Sequence, residues 1–245
     1  MPASVTSSTV NAANRLTNWN GQAISYDANC NMSNDGVNTY VWNARNQLTQ
    51  IKNTSGTVVA SFSYDPQGRR SGKNVNGTVR NFLYDGANIV QEQDSSKALV
   101  AGYLTGGVDE IFAQQSAGQT NGYLTDALDS TIRLTNGSGA KLVDYTYDPY
   151  GNTTADATVA NPFQYTGREN DGNGLYYYRA RHYSPQLQRF ISKDPIKLAG
   201  GINTYSYVGE IRFRLLIRLV LIVGAATVMD VMFRLPIHHR PFGKD

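Results

Sequence analysis

The fold of this chain is decided by a stretch that reads Leu142-Val143-Asp144-Tyr145-Thr146-Tyr147-Asp148-Pro149-Tyr150-Gly151. Its first half puts valine and tyrosine on one face and leucine, aspartate and threonine on the other, the period of a half-buried strand. Asp148 then accepts backbone N–H groups as an Asx turn, and Gly151 is free to take a left-handed conformation. The stretch therefore predicts a strand, a turn and a second strand.

The same unit recurs along the chain. Successive aromatic residues lie 16, 22 and 20 residues apart, and the last copy follows after 63. Such a period predicts a repeat architecture, in which stacked units pair edge to edge and bury a common aromatic row. Cys30 stands where Gly68 and Gly151 stand in other copies, and a left-handed conformation costs a cysteine about 1 kcal/mol. The copies begin at Tyr26-Asp27, Trp42-Asn43, Tyr64-Asp65, Tyr84-Asp85 and Tyr147-Asp148.

Composition and charge narrow the function classes. The net charge is +3, but residues 211–245 hold six Lys/Arg and two acids, so residues 1–210 hold 16 basic and 17 acidic residues. The repeat region has no basic excess, which makes nucleic acid a poor partner. Cys30 is the only cysteine, which excludes an internal disulfide. No signal peptide is visible in the first residues, and we expect the chain to begin partway through a repeat.

The segment 165–208 carries the most specific pattern. It contains Gly174-Leu175-Tyr176-Tyr177-Tyr178-Arg179-Ala180-Arg181-His182-Tyr183 and, further on, Arg189-Phe190-Ile191-Ser192-Lys193-Asp194-Pro195-Ile196. These motifs resemble the core domain of the RHS (rearrangement hotspot) and YD-repeat family, and the resemblance covers about residues 15–210. Lys197 stands where the family has a glycine, a departure expected to alter one turn.

The resemblance implies an all-β shell in which hairpins spiral into a hollow cocoon around a C-terminal toxin. Arginines stacked on aromatic rings would close the shell as a plug, each contact contributing about 0.5–2 kcal/mol. The implied partners are the rest of the shell, the toxin cargo and the secretion machinery, at a secreted or cell-surface location. A sugar- or nucleic-acid-binding aromatic patch is the alternative for the same residues. The plug residues are Tyr176, Tyr178, Arg179, Arg181, Arg189, Phe190 and Asp194.

Catalytic chemistry is not expected. Many members of the family cut themselves with an aspartyl-type pair, which needs two carboxylates that share a proton. Asp194 matches one acid, but Ser206 stands where a second is needed, and the family's cleavage segment is missing. Asp109-Glu110 is a poor glycosidase dyad, since adjacent side chains on a strand point apart. The histidines, among them His182, lack the spacing of a metal site, and no cofactor motif occurs.

The tail, residues 211–245, differs from the rest because it contains no tyrosine. Three interpretations compete: a variable C-terminal tip, a membrane anchor through 215–233, and a change of reading frame, which we favour. A codon run for Glu-Asn-Pro that loses one base reads Glu-Ile-Arg, as found at Glu210-Ile211-Arg212. The chain thus divides into repeats (1–163), core (164–210) and tail (211–245).

Together these features predict an open, all-β hairpin spiral, too short to close a cocoon, with room for a short helix in the tail. The expected function is a non-catalytic shell scaffold that encapsulates or delivers an effector, in a copy that is a truncated remnant. The alternatives are a cell-surface carbohydrate-binding protein and a membrane-associated protein.

Overall fold

A computed structural model describes residues 5–208 of the chain. Almost all regular structure in this part is β-strand, with two 3-10 turns at Tyr165–Gly167 and Lys197–Gly200. The strands are β1 (Ser8–Val10), β2 (Leu16–Trp19), β3 (Gln22–Ala23), β4 (Ser25–Tyr26), β5 (Met32–Asn34), β6 (Thr39–Trp42), β7 (Leu48–Lys52), β8 (Val58–Tyr64), β9 (Arg70–Val75), β10 (Thr78–Asp85), β11 (Asn88–Gln93), β12 (Leu99–Thr105), β13 (Ile111–Ser116), β14 (Gln119–Thr125), β15 (Thr131–Thr135), β16 (Lys141–Tyr147), β17 (Thr153–Ala155), β18 (Glu169–Asn170), β19 (Tyr176–Tyr178), β20 (Arg181–Ser184) and β21 (Arg189–Phe190).

The strands form one long antiparallel meander and two small sheets. Fourteen strands, β4 to β17, pair in strict chain order, each with its neighbours in sequence. β1 to β3 form a three-stranded sheet before them, and β18 to β21 a four-stranded sheet after them. The order ends at β4 and β17, so the large sheet is open. The prediction of an open, all-β hairpin fold is confirmed.

The predicted alternation is present along the strands. In β16, Val143 and Tyr145 are buried whereas Thr146 is exposed. The same pattern places Phe62 of β8 and Tyr103 of β12 in the core. One face of the meander therefore carries a continuous apolar and aromatic layer, because successive strand residues point to opposite faces.

Successive connections of a meander lie at opposite ends of the sheet. The connections that follow β4, β6, β8, β10, β12, β14 and β16 share one end, which we call the covered end. The connections after β5, β7, β9, β11, β13 and β15 share the other, the open end. All the Tyr-Asp copies lie at the covered end, and residues 161–208 pack there.

The tail predictions fall on residues that the structure does not describe. The expected short helix and the 215–233 anchor both lie outside residues 5–208. Within that range, no helix is long and apolar enough to cross a bilayer.

Candidate functional site

The turn after β8 shows how the Tyr-Asp unit closes a hairpin. Asp65 N–H donates to the Arg69 carbonyl at 2.8 Å, and Gly68 N–H donates to the Asp65 carbonyl at 2.9 Å. The Asp65 carboxylate accepts the Arg69 N–H at 2.8 Å. Gly68 has a φ of 87°, the left-handed conformation that glycine adopts without cost. Aspartate and a left-handed residue thus satisfy the backbone of a tight turn.

Three other copies repeat this geometry, and one differs. Asp27, Asn43 and Asp148 each accept the N–H of the residue four positions later. Cys30 has a φ of 67°, so a side chain occupies the strained position there. The Tyr84-Asp85 copy was expected to match, but Asp85 is the last residue of β10 and the left-handed residue is Gly86, with a φ of 57°. The shorter connection closes this hairpin with Gly86 and Ala87, so the Asx interpretation of Asp85 is wrong.

Sequence reasoning missed further turns of the same kind. Asn53, Asp94 and Asn136, at the open end, accept the N–H groups of residues two and four positions later. Asp126, at the covered end, does the same. Two of them carried a signal in the sequence, an Asn three residues before a glycine. The other two carried none, because their left-handed residues are Lys97 and Asp129. The Asx turn is therefore general, and the aromatic serves another purpose.

That purpose is visible in where the aromatic side chains donate. Tyr64 OH donates to the Leu48 carbonyl at 2.7 Å, and Tyr147 OH to the Thr131 carbonyl at 2.6 Å. Each acceptor is the residue that follows the preceding turn at the covered end. Tyr84 to Arg70 and Trp42 to Met32 repeat the pattern at 2.9 Å and 2.7 Å. In these four copies the aromatic thus connects its hairpin to the one before, whereas within residues 5–208 the Tyr26 hydroxyl of the first copy has no such bond.

The C-terminal segment, residues 161–208, docks on this row of turns. Met32 N–H donates to the Ile191 carbonyl at 2.8 Å, and Tyr205 OH to the Cys30 carbonyl at 2.8 Å. At the other extreme of the row, Tyr183 OH donates to the Tyr150 carbonyl at 2.8 Å. One segment therefore spans the covered end from the first turns to the last.

The aromatic residues of the predicted plug form a buried cluster. Tyr176, Tyr178, Tyr183 and Phe190 pack together, with ring centroids of Tyr178 and Phe190 5.6 Å apart. Burial raises the pKa of Tyr176 to about 12. Because these rings are 5% exposed or less, they are not available as a stacking surface for sugars or bases.

The three plug arginines behave differently from one another. Arg181 lies over the Phe190 ring at 3.6 Å and pairs with Asp194 at 2.9 Å, and burial lowers its pKa to about 10. Arg179 instead pairs with Asp109 at 2.7 Å, and Arg189 donates to the Asn14 carbonyl at 3.0 Å. The expectation of ring stacking is met by Arg181 but not by these two, because carbonyl and carboxylate oxygens of the repeats lie within their reach.

An ion cluster that sequence reasoning missed fastens the segment to the repeats. Arg70 is fully buried and pairs with Glu169 and Asp171, both at 2.6 Å. Its guanidinium lies 4.1 Å from the Tyr177 ring centroid, and Lys73 pairs with Asp171 at 3.0 Å. Burial would raise the pKa of Asp171, but Arg70 and Lys73 outweigh it and hold this pKa below its usual range. Only the packing of distant segments reveals this cluster, since about one hundred residues separate its halves.

Asp109 forms a second bridge between segment and repeats. Its carboxylate pairs with Arg168 through one oxygen and with Arg179 through the other. A Cβ on Gly167 would lie 2.7 Å from the Asp109 carbonyl, so a glycine is needed for this approach. The Asp109-Glu110 pair, which was rejected as a glycosidase dyad, thus supplies a structural carboxylate.

Asp194 lies in a turn. Its carboxylate accepts the Ile196 N–H at 3.0 Å and pairs with Arg181, while its carbonyl accepts the Lys197 N–H at 2.9 Å. Ser206 donates to the Asn203 carbonyl at 2.9 Å. Lys197 has a φ of 57°, so the lysine keeps a conformation that suits glycine. His182 is buried between Phe62 and Tyr177, and residues 5–208 contain no group of three metal-binding side chains.

Known proteins are similar to this chain in sequence. A nuclease of Bacillus spizizenii, "tRNA3(Ser)-specific nuclease WapA", is 36% identical over an alignment of 217 residues that covers 82% of this chain and 9% of that protein. "Double-stranded DNA deaminase toxin A" of Burkholderia cenocepacia is 25% identical over 79% of this chain and 16% of its own length. The chain thus spans a small part of these relatives.

Solved structures show the same fold. The complex titled TcdB2-TccC3-Cdc42 superposes with a TM-score of 0.61 at 20% identity, over 80% of this chain and 10% of that one. The Photorhabdus luminescens Tc holotoxin pore gives 0.59 at 21% identity, over 74% and 10%. The sequence model of the Teneurin YD-shell matches residues 3–210. The resemblance to RHS and YD-repeat proteins is confirmed, and the chain belongs to the Teneurin YD-shell family.

Proposed function

We propose that this chain is a section of a toxin shell, a non-catalytic scaffold that encloses or delivers an effector. One observation carries the proposal: residues 161–208 seal the covered end of an open hairpin sheet through buried ion pairs and a buried aromatic cluster. This arrangement supports the proposal that the sheet forms part of a shell wall, with the C-terminal segment covering one end of it. The toxin names among the relatives support the same role, and a secreted or cell-surface location follows from it.

The effector and the rest of the shell are the proposed partners, with secretion machinery for export. The strands at the two ends of the meander, β4 and β17, have edges that further hairpins of a longer shell would extend. Asp194 pairs with Arg181 and caps a turn, which supports a structural role over self-cleavage. The aromatic cluster is buried, so no observation favours carbohydrate binding.

The test is to co-express the full chain with the polypeptide encoded by the DNA directly downstream of its gene. Each of the three reading frames of that DNA is expressed in turn. We expect that polypeptide to co-purify with the chain and to resist protease longer than it does alone. The Arg70→Met variant, which loosens the docked segment, should shorten the protection, and Arg133→Met on the sheet surface should not. A downstream polypeptide that neither binds nor gains protection would contradict the shell role.

A further inference from the structure

An apolar band crosses the exposed face of the large sheet, opposite the aromatic layer. Its side chains are large and apolar, yet they are between 42% and 63% exposed. Soluble proteins rarely leave such side chains in one contiguous patch, and patches of this kind mark interaction sites. The band consists of Leu83 on β10, Leu104 on β12, Phe112 on β13, Leu124 on β14 and Ile132 on β15.

A β-bulge in each hairpin places these side chains next to one another. The register of β12 and β13 shifts directly after Leu104, so Phe112 is the extra residue that lies beside it. In β14 and β15 the same shift places Ile132 beside Leu124. Neighbouring strands lie about 4.8 Å apart, so the band from β10 to β15 is about 24 Å long.

The band is confined to three central hairpins. Leu83, Leu104 and Leu124 each precede the last residue of their strand. The same position holds Ser63 in β8 and Thr146 in β16, and both are exposed. The strand therefore accepts a polar residue there, and three successive leucines indicate a contact that the hairpin itself does not need.

The rim of the band at the covered end is acidic. Strands β10 to β15, residues 78–135, contain seven acidic and three basic residues. Asp85 and Asp126 are exposed, and each lies two residues from a leucine of the band. The acids are Asp85, Glu92, Asp94, Asp109, Glu110, Asp126 and Asp129, and the bases are Arg80, Lys97 and Arg133.

The basic side chains around the band do not neutralise this rim. Lys97 lies in a turn at the open end, and the others pair with different carboxylates. In the described part of the chain none of them pairs with Asp85 or Asp126. The pairs are Arg69 with Asp65, Arg80 with Glu92, Arg133 with Asp144, and Arg168 and Arg179 with Asp109.

Size and charge decide which partner fits. Five large side chains that are about half exposed present roughly 400 Å² of apolar surface. A second copy of the chain would need about 800 Å² on each partner and would set two negatively charged faces against each other. Nucleic acid and anionic lipid are also negatively charged. The band is therefore suited to a short, basic and partly apolar polypeptide segment.

We propose that this band binds a basic amphipathic helix of another protein, whose apolar face lies on the leucines and whose Lys or Arg side chains lie on the acidic rim. A helix of about 16 residues is 24 Å long and presents an apolar stripe of that length. Such a helix binds through a few apolar anchors spaced along one face. The site does not depend on the proposed shell function, which would survive its failure.

The test measures binding of a labelled peptide to the full chain by fluorescence anisotropy. The peptide has sixteen residues, leucine at the helical spacing and lysine elsewhere, and its control has glutamate in place of every lysine. We expect the lysine peptide to bind and the glutamate peptide not to bind. A full chain that does not bind the lysine peptide, or that binds both peptides equally, would overturn the proposal.

Two matched leucine variants locate the contact. Leu104→Ser should weaken binding of the lysine peptide about tenfold, because a leucine contact is lost. Leu99→Ser is the control, since Leu99 is 60% exposed at the open end and Leu104 is 63% exposed in the band. Both side chains lie outside the core, so both variants should fold. Equal affinities of the two variants would overturn the assignment to the band.

A second pair of variants tests the acidic rim. Asp126→Asn removes a charge but keeps the turn, because Asn53 and Asn136 accept the same backbone N–H groups in their turns. The Kd should rise about threefold at low salt and less at high salt, since salt screens exposed charges. Asp94→Asn, in the same kind of turn at the open end, should leave the Kd unchanged. Equal effects of the two changes would overturn the role of the rim.

Discussion

The two ends of the meander contain the same type of turn, but the turns are exposed at one end and covered by the C-terminal segment at the other. At the open end, Asn53 accepts the Thr57 N–H at 2.9 Å, just as Asp65 accepts the Arg69 N–H at 2.8 Å at the covered end. The open-end turns around Asn53, Asp94 and Asn136 have exposed tips, whereas buried residues pack on the covered end. The Asx turn therefore closes a hairpin without deciding what the hairpin packs against.

The difference lies in the residue before the turn. Five of the seven connections at the covered end follow a Tyr or Trp, and four of these side chains donate to the preceding hairpin. At the open end the same position holds Lys52, Gln93 or Thr135. A turn that follows a polar residue stays exposed to solvent. A turn that follows an aromatic residue contributes to the surface on which the C-terminal segment packs. The packing of residues 161–208 is therefore confined to one end of the sheet.

The strongest way to break this asymmetry is to remove the buried cation at the covered end. Arg70→Met leaves Glu169 and Asp171 buried without their partner, and we expect a loss of about 3–5 kcal/mol of unfolding free energy. Arg69→Met is the matched control, because Arg69 is partly exposed and pairs with Asp65. That surface pair should be worth less than about 1 kcal/mol. Urea unfolding of both variants measures this, and equal losses would contradict a special role for the ion cluster.

The next effect is acid sensitivity through His182. Burial lowers its pKa from 6.5 to about 3; Asp171 acts to raise it and Arg70 to lower it further. Below pH 6.5 the unfolded chain therefore binds a proton that the folded chain does not bind, so the free energy of unfolding decreases as the pH is lowered. Between pH 7 and 4 this amounts to about 3 kcal/mol. The depressed pKa of Asp171 has the same sign and removes further stability below about pH 4.

His182→Phe tests this assignment, since phenylalanine keeps the contacts with Phe62 and Tyr177 but does not titrate. Unfolding free energies from pH 7 to 4 should be nearly flat in the variant down to the range where carboxylates protonate. A slope equal to that of the wild-type chain would show that other groups cause the acid sensitivity.

A smaller effect concerns the aromatic hydroxyl groups. Tyr64→Phe and Tyr147→Phe each remove one bond to the preceding hairpin, and each should cost about 1 kcal/mol. Tyr150→Phe is the control, because its ring is 38% exposed and the change should stay within about 0.5 kcal/mol. Thermal unfolding can rank the three. A control as costly as the two variants would argue against hairpin fastening.

The smallest expected effect concerns backbone strain, which is similar in the turns at the two ends. Cys30, at the covered end, and Lys97, at the open end, have φ values of 67° and 69°. Cys30→Gly and Lys97→Gly should each stabilise the fold by up to about 1 kcal/mol, because the strain is in the backbone and not in the surroundings. Ser96→Gly, whose φ is not left-handed, should not stabilise. Opposite signs for Cys30→Gly and Lys97→Gly would show that packing outweighs turn strain.

Much of this was predictable from the sequence. The alternation in Leu142–Tyr147 and the Asx turns at Asp27, Asp65 and Asp148 are local properties, and they appeared as expected. The fourth copy failed because Gly86 offered a shorter turn than the aspartate before it. The ring stacking of Arg179 and Arg189 failed because their distant oxygen partners are invisible in a linear sequence.

The sequence by itself determined the hairpin unit, its repetition, the family and the near balance of basic and acidic residues in 1–210. These follow from neighbours along the chain, whose contacts are fixed by strand period and turn chemistry. Only the tertiary structure decided that Arg70 meets Glu169 and Asp171, and that Asp109 joins Arg168 and Arg179. The packing of residues 161–208 on the covered end brings these charges together, because these residues lie far from their partners along the chain.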